Sequence, residues 1–295
     1  VSGRVNIYGR QEAVADWLVH QVTQMVTHDH ASLIVIDGAG DLVPRLKRKA
    51  AVTRLLGEGV SYVDIDSASL VGGFNPLAAV PGETETAMVQ RWQDWFKGMN
   101  VHPHGLQLLA QAHQAGVADL PALQKWLKQT ERQGQLSAIS SLQLALARLT
   151  ASRTLREWLT WPTNLFERLP TGALFFACRA AGWDHQQLVR AVLLAALNIP
   201  QARLILHGFP WSAFRGQTVG EHDFLLVSNG PEMAQAATVL VASHAHQHHG
   251  LARRFLSGSV TLEENLALLQ YGQGILCFEK EYFLTSWLNE PKCCT

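Results

Sequence analysis

Asn6–Gln21, NIYGRQEAVADWLVHQ, is the stretch on which the fold turns: an apolar strand runs into a glycine and then directly into a helix. Phosphate-binding loops are built in that order, with the spacing G-x-x-x-x-G-K-[ST]. Glycines let backbone N–H groups approach the phosphates, the lysine neutralises β/γ charge, and the hydroxyl holds magnesium. Laid on this sequence, Gly9 keeps the first position, while Val14 stands for the second glycine, Ala15 for the lysine and Asp16 for the hydroxyl residue. Glu12 and Asp16 add negative charge near the helix N-terminus, where it favours the helix itself and opposes an incoming anion. The stretch therefore reads as the shell of a nucleotide site.

Working outward, RVNIY (Arg4–Tyr8), SLIVID (Ser32–Asp37) and VSYVDID (Val60–Asp66) read as strands, with helices expected over Gln11–Thr27 and Leu42–Leu56. Alternation with short connections predicts a parallel sheet covered on both faces. From Thr84 to Leu159 the chain has no β-branched run and carries Leu, Ala and Gln at helical spacing, which predicts an all-helical insertion; Trp92, Trp95 and Phe96 read as its core. Strands then resume with GALFFACRA, ARLILHG, DFLLVSN, ATVLVAS and GILCFEK. The expected organisation is an α/β core of residues 1–83 and 166–295 and an inserted helical domain of residues 84–165.

Composition is that of an ordinary globular chain, 295 residues at 47% hydrophobic and 16% charged. The 24 basic residues balance the 24 acidic ones, so there is no global basic field and any nucleic-acid contact must be local. No apolar run reaches the ~18 residues of a membrane helix. The first residues lack the basic-then-apolar layout of a signal peptide, and the expectation is a soluble, cytoplasmic chain. Cys178 and Cys277 lie in apolar runs and read as packing; Cys293 and Cys294 read as an inert end, with lipidation or metal binding as the other possibility.

Taken in order, a strand-glycine-helix start, VIDGAGDLV, a strand followed by GFNPL (Gly73–Leu77) and a helical insertion before the sheet resumes resemble the FtsK/HerA class of DNA-pumping ATPases. Within that class the likeness is nearest to the coupling proteins and related ATPases of conjugation and type IV secretion. The resemblance covers nearly the whole chain and implies a RecA-like, P-loop-NTPase-type sheet. Asp37, Gly40 and Asp41 stand where that family tends to show Asp-x-Lys-Gly-x-Leu, with Ala39 in place of the lysine. The family's acidic pair, one carboxylate for magnesium and one to polarise the attacking water, is replaced by His207 and Gly208 at the end of ARLILHG. The family's γ-phosphate-sensing glutamine is replaced by Asn229 after DFLLVSN. Gly9, Val14, Ala15, Asp16, His207, Gly208 and Asn229 are thus read as a vestigial pocket, with no catalytic residue, no metal and no cofactor.

Other clusters are less specific. The tract SHAHQHHG (His244, His246, His248, His249) is read as a polar loop or interface face, metal binding being the alternative. His102 and His104 carry a weaker signal of the same kind. The basic run from Arg45 to Arg54 is read as a solvated helix face, and Arg45, Arg48 and Lys49 are its candidate nucleic-acid contacts. Arg253 and Arg254 are read as surface arginines, reach to a neighbouring subunit's nucleotide being the alternative.

These readings predict a catalytically degenerate ATPase-like module that acts by assembly or docking at the cytoplasmic face of a membrane. Its implied partners are proteins: an active paralogous ATPase, a secretion or conjugation component, or further copies of the chain. DNA binding alone is expected to be weak or absent, and membrane contact only indirect. The competing reading is an active nucleotide-dependent translocation motor whose site is atypical or completed by a partner; the histidine-tract metal protein is a third.

Overall fold

A computed structural model describes residues 3–8, 11–28, 32–49, 60–65, 73–131, 136–160, 165–166, 173–179, 182–199, 202–208, 224–228, 238–242, 273–278 and 281–286. In chain order these form β1 (Gly3–Tyr8), α1 (Gln11–His28), β2 (Leu33–Asp37), α2 (Leu42–Lys47) and β3 (Val60–Asp64). Five helices follow: α3 (Glu85–Lys97), α4 (Pro103–Gln114), α5 (Leu120–Glu131), α6 (Leu136–Ala151) and α7 (Arg153–Leu159). The chain then returns to the sheet through β4 (Ala173–Ala177), α8 (Trp183–Leu197), β5 (Arg203–His207), β6 (Phe224–Ser228), β7 (Thr238–Ala242), β8 (Gln273–Phe278) and β9 (Glu281–Ser286).

The described strands form one sheet in the order β3-β4-β2-β5-β6-β1-β7-β8-β9. Pairing is parallel from β3 to β7 and antiparallel from β7 through β8 to β9. Parallel strands need crossover connections that cover the sheet, so both faces of each strand must be apolar. The sequence supplies this by alternation. Leu33, Val35, Phe175 and Ile205 enter one hydrophobic cluster with Val14, Leu18, Leu42 and Val43 of α1 and α2. Ile34, Ile36, Phe176 and Leu206 enter the opposite one with α8.

That second cluster runs without a break into the helical insertion, through Trp92, Trp95 and Phe96 to Leu123 and Leu146, so these helices and the sheet share a core. The expected aromatic group is therefore interior, and the Trp95 indole N–H donates to the Gln187 carbonyl of α8 at 2.9 Å. Local signals start the helices. Thr84 caps α3 by accepting from Ala87 N–H, Ser152 caps α7 through Leu155 N–H, and α4 opens with Pro103 behind His102, whose ring Nδ1 accepts from His104 N–H. Among the described residues the insertion contains no strand.

The GFNPL box is the seam between the layers. All of Gly73–Leu77 is buried. Phe74 N–H donates to the Trp158 carbonyl, while the Asn75 amide bridges Leu77 N–H and the Ala118 carbonyl. Behind it, Arg91 makes a two-pronged ion pair with Glu83 (2.7 and 2.8 Å) and donates to the Pro76 and Ala78 carbonyls. Two expectations are corrected. Helix α2 ends at Lys47, not Leu56, because Arg48 and Lys49 N–H groups turn back onto Arg45 and Leu46 carbonyls in i→i−3 bonds that tighten and close the last turn. In addition, GILCFEK, expected as the last strand, is followed by EYFLTS, which adds β9 at the antiparallel edge.

The Arg91–Glu83 pair has side-chain exposures of only 2% and 0%. Removing one partner leaves the other charge buried, so Arg91→Met is expected to cost about 3–5 kcal/mol. Arg91→Lys, which cannot reproduce the fork, should also destabilise clearly. Urea unfolding of the three proteins checks both; an Arg91→Lys midpoint equal to that of the parent would refute the role given to the fork.

Candidate functional site

In doubly wound sheets ligands sit beyond the carboxyl ends of the strands; of the sequence-predicted pocket residues, His207 and Gly208 lie at that end of β5, while Val14, Ala15 and Asp16 lie within the first turns of α1. β1 ends at Tyr8 and α1 begins at Gln11, so only Gly9 and Arg10 separate strand from helix. A phosphate cradle uses the residues between its first glycine and its lysine as loop. Here Gln11 to Val14 are already helical. Val14 is packed with Val35, Leu42 and Val43, and Ala15 is fully buried. Asp16 points to α2, where its carboxylate pairs with Arg45 Nη1 at 2.6 Å. That contact also engages one of the candidate nucleic-acid residues. Lys47 lies over the Tyr62 ring at 4.5 Å, while Arg48 and Lys49 are exposed. Gly9 and Asn229 lie outside the described residues, as do His244, His246, His248, His249, Arg253, Arg254, Cys293 and Cys294.

The second half of the site is built where β2 and β5 end side by side, in parallel register with Asp37 opposite His207. With strands ~4.8 Å apart and β6 interposed, His207 stands about 10 Å from the end of β1. Asp37 is wholly buried and accepts from Gly40 N–H at 2.8 Å and Val43 N–H at 2.9 Å. Its carboxylate therefore caps α2 from the preceding strand. Burial pushes its pKa above the ordinary 3.8, with the bonds from Val43 and Gly40 and the nearby His207 pulling the other way. Asp41, at the N-cap position of α2, makes no cap bond. Its carboxylate instead meets Nε2 of the buried His207 at 2.9 Å.

The turns themselves are locked together. Gly38 N–H donates to the His207 carbonyl at 2.7 Å, and Cys178 N–H to the Asp37 carbonyl at 3.0 Å. Gly40 and Gly208 have φ of +72° and +64°. A Cβ on Gly208 would overlap Ala39, and one on Gly40 would meet the Arg179 side chain. The Asp-x-x-Gly-x-Leu pattern thus has a direct physical content: Asp37 caps, Gly40 turns left-handed, and Leu42 fills the core. What sequence reading missed is that His207 meets Asp41. The two lie 166 residues apart, and only the strand order joins them. One ligand atom from each of Asp37, Asp41 and His207 falls within a 4.8 Å cluster.

No protein-family model and no curated protein matches this chain. Among solved structures, VirB4 of Thermoanaerobacter pseudethanolicus is similar, with a TM-score of 0.70 at 12% identity over 98% of this chain and 90% of that one. At that identity the likeness is one of fold, and the fold is the P-loop-ATPase-type α/β sheet with a helical insertion.

Two outcomes follow from the geometry. Gly208→Ala forces a side chain into a left-handed position against Ala39 and is expected to cost about 1–3 kcal/mol; denaturant titration reads the loss, and an unchanged midpoint would contradict the contact. The other concerns pH. An acid whose pKa is higher in the folded chain than in the unfolded one binds its proton more tightly when folded. The contribution of Asp37 to stability is therefore least at neutral pH and grows as pH falls through its raised folded pKa toward 3.8. Against Asp37→Asn, which does not titrate, the parent should gain thermal stability from neutral pH toward about pH 4. A difference in melting temperature that stays flat, or widens the other way, would show that burial does not set this titration.

Proposed function

We propose that the chain is an ATPase-like module of conjugation, type IV secretion or DNA-translocation machinery that works by assembly or docking, without hydrolysing ATP. The fold shared with VirB4 and the sequence pattern of secretion and conjugation ATPases support the class. The observation that carries the inert reading is the connection at β1: helix α1 starts two residues after the glycine-bearing position, and the lysine position is a buried alanine.

Two of the described pocket residues are already engaged by neighbours. Asp16 is engaged by Arg45, and His207 is engaged by Asp41. Neutral imidazole is in any case a poor ligand for magnesium, which prefers oxygen. Residues 84–165 are, on this reading, an inserted helical domain on a core of residues 1–83 and 166–295. The partners are protein components of the machinery, an active paralogous ATPase or further copies of this chain, met at the cytoplasmic face of a membrane. No helix among the described residues is long and apolar enough to cross one. With Arg45 paired, exposed Arg48 and Lys49 are the candidate contacts of α2 for DNA, and affinity for DNA alone is weak.

The test is calorimetry with magnesium ATP on the folded chain. Loss of the lysine removes a charge-assisted contact worth about 1.5–3 kcal/mol, and no saturable binding is expected at physiological ATP. Ala15→Lys should not restore binding, because position 15 lies in the interior; it should lower stability instead. Saturable micromolar binding that Gly9→Asp abolishes would reverse the reading and make the chain a working motor with an atypical site.

A further inference from the structure

We propose that Asp37, Asp41 and His207 bind one divalent transition-metal ion of the zinc type, which clamps the turn after β2 to the end of β5. The donor set is one imidazole nitrogen and two carboxylates, and its ligand atoms already lie within 4.8 Å of one another. Tetrahedral zinc, with bonds of ~2.0–2.2 Å, places its ligand atoms about 3.3 Å apart. Asp41 and His207 stand at 2.9 Å, so closing the set requires Asp37 to approach them by at most about 1.5 Å.

Three features of the surroundings favour an ion. The first is charge. Asp37 and Asp41 face a single imidazole. Two carboxylates thus gather about one imidazole where Asp37 has no exposure, with the Arg179 side chain packed against Gly40 of the same turn. Paired buried carboxylates are costly unless compensated, and a dication held by two carboxylates and a neutral imidazole compensates both. The second is rigidity. The Gly38–His207 and Cys178–Asp37 backbone bonds and the glycine packing at Gly38 and Gly208 fix both turns, so little ordering remains to be done on binding. Asp37 spends one backbone N–H bond per oxygen, which orients a ligating carboxylate and leaves lone pairs for the metal. The third is access. Asp41 is 25% exposed at its side chain while His207 has none, so an ion enters past Asp41 and keeps water as its remaining ligand.

The donor set also selects the metal. Imidazole with carboxylate suits zinc, cobalt or nickel, whereas magnesium calls for oxygen alone. The set shares His207 with the vestigial pocket and adds Asp37 and Asp41 from the turn after β2.

The experiment is calorimetric and thermal titration of the chelator-stripped full chain with zinc chloride, then cobalt(II) as a spectroscopic probe. One ion per chain, micromolar or tighter, and an upward shift in melting temperature are expected, with magnesium leaving the melt unchanged. Asp41→Asn keeps a hydrogen-bonding partner for His207 and sits at a partly exposed position, so the fold should survive; it should weaken zinc binding at least about tenfold. A variant with His244, His246, His248 and His249 all changed to Ala should bind as the parent does. Failure of the stripped parent to bind zinc, cobalt or nickel overturns the proposal. So does binding that Asp41→Asn leaves intact, and so does binding that disappears with the histidine tract.

Discussion

The double-sided burial of β2 is the constraint from which the rest of the structure follows. Leu33–Asp37 pairs in parallel with β4 on one side and β5 on the other, and every one of its residues is buried. Because successive side chains leave a strand on opposite faces, an apolar run of this kind demands a core above and a core below. Leu33 and Val35 are met by α1 and α2; Ile34 and Ile36 are met by the cluster that α8 shares with the inserted helices. The insertion is therefore no appendage. Its tryptophans close the second core, and the Arg91–Glu83 pair holds the GFNPL seam from which it departs.

Parallel register also brings the ends of β2, β4 and β5 level, so the turns that leave them must share a small volume. The chain meets this with glycine where backbones touch and with one carboxylate that caps the next helix from inside. Gly208 is informative here. Read as a sequence, it is a missing base; in the fold, its positive φ and its contact with Ala39 make it the residue the turn requires. A glutamate at that position would have to displace the turn after β2, and with it the Asp37 cap on α2. The chemistry absent from position 208 and the packing present there have one cause.

What was legible in the sequence was whatever local periodicity encodes. The alternation of strands and helices, the helical spacing after Thr84 and the interior place of Trp92, Trp95 and Phe96 were open to reading because each depends on residues a few positions apart. The pairings that define the candidate site depend on strand order, which periodicity does not encode. Asp41 with His207 and Asp16 with Arg45 fall in that class. The capping role of Asp37 had a local signal, an Asp followed by glycines and then a helix start, and it was read as a family pattern before it was read as a cap. The end of α2 was misplaced because the charged and apolar residues after Lys47 keep helical spacing while the backbone bonds turn to i→i−3.

The departures from a nucleotide site fall on separate strands and differ in kind, which bears on how they are to be weighed. At β5 the change that the family resemblance implies is one of side chains: His207 and Gly208 stand where that resemblance would put carboxylates. At β1 it is one of backbone, since a helix that begins at Gln11 takes up the residues a phosphate cradle would use as loop. A side-chain loss alone leaves a cradle that a partner's lysine or arginine can complete from outside. A backbone loss does not, because the cradle consists of the chain's own N–H groups and no neighbour can donate them. Val14 and Ala15 then follow: once Val14 joins the cluster of Val35, Leu42 and Val43 and Ala15 is buried, apolar side chains are the stable choice and a lysine would bring an uncompensated cation into the core. Of the departures on which the proposed inert reading rests, the connection at β1 is therefore the weightiest.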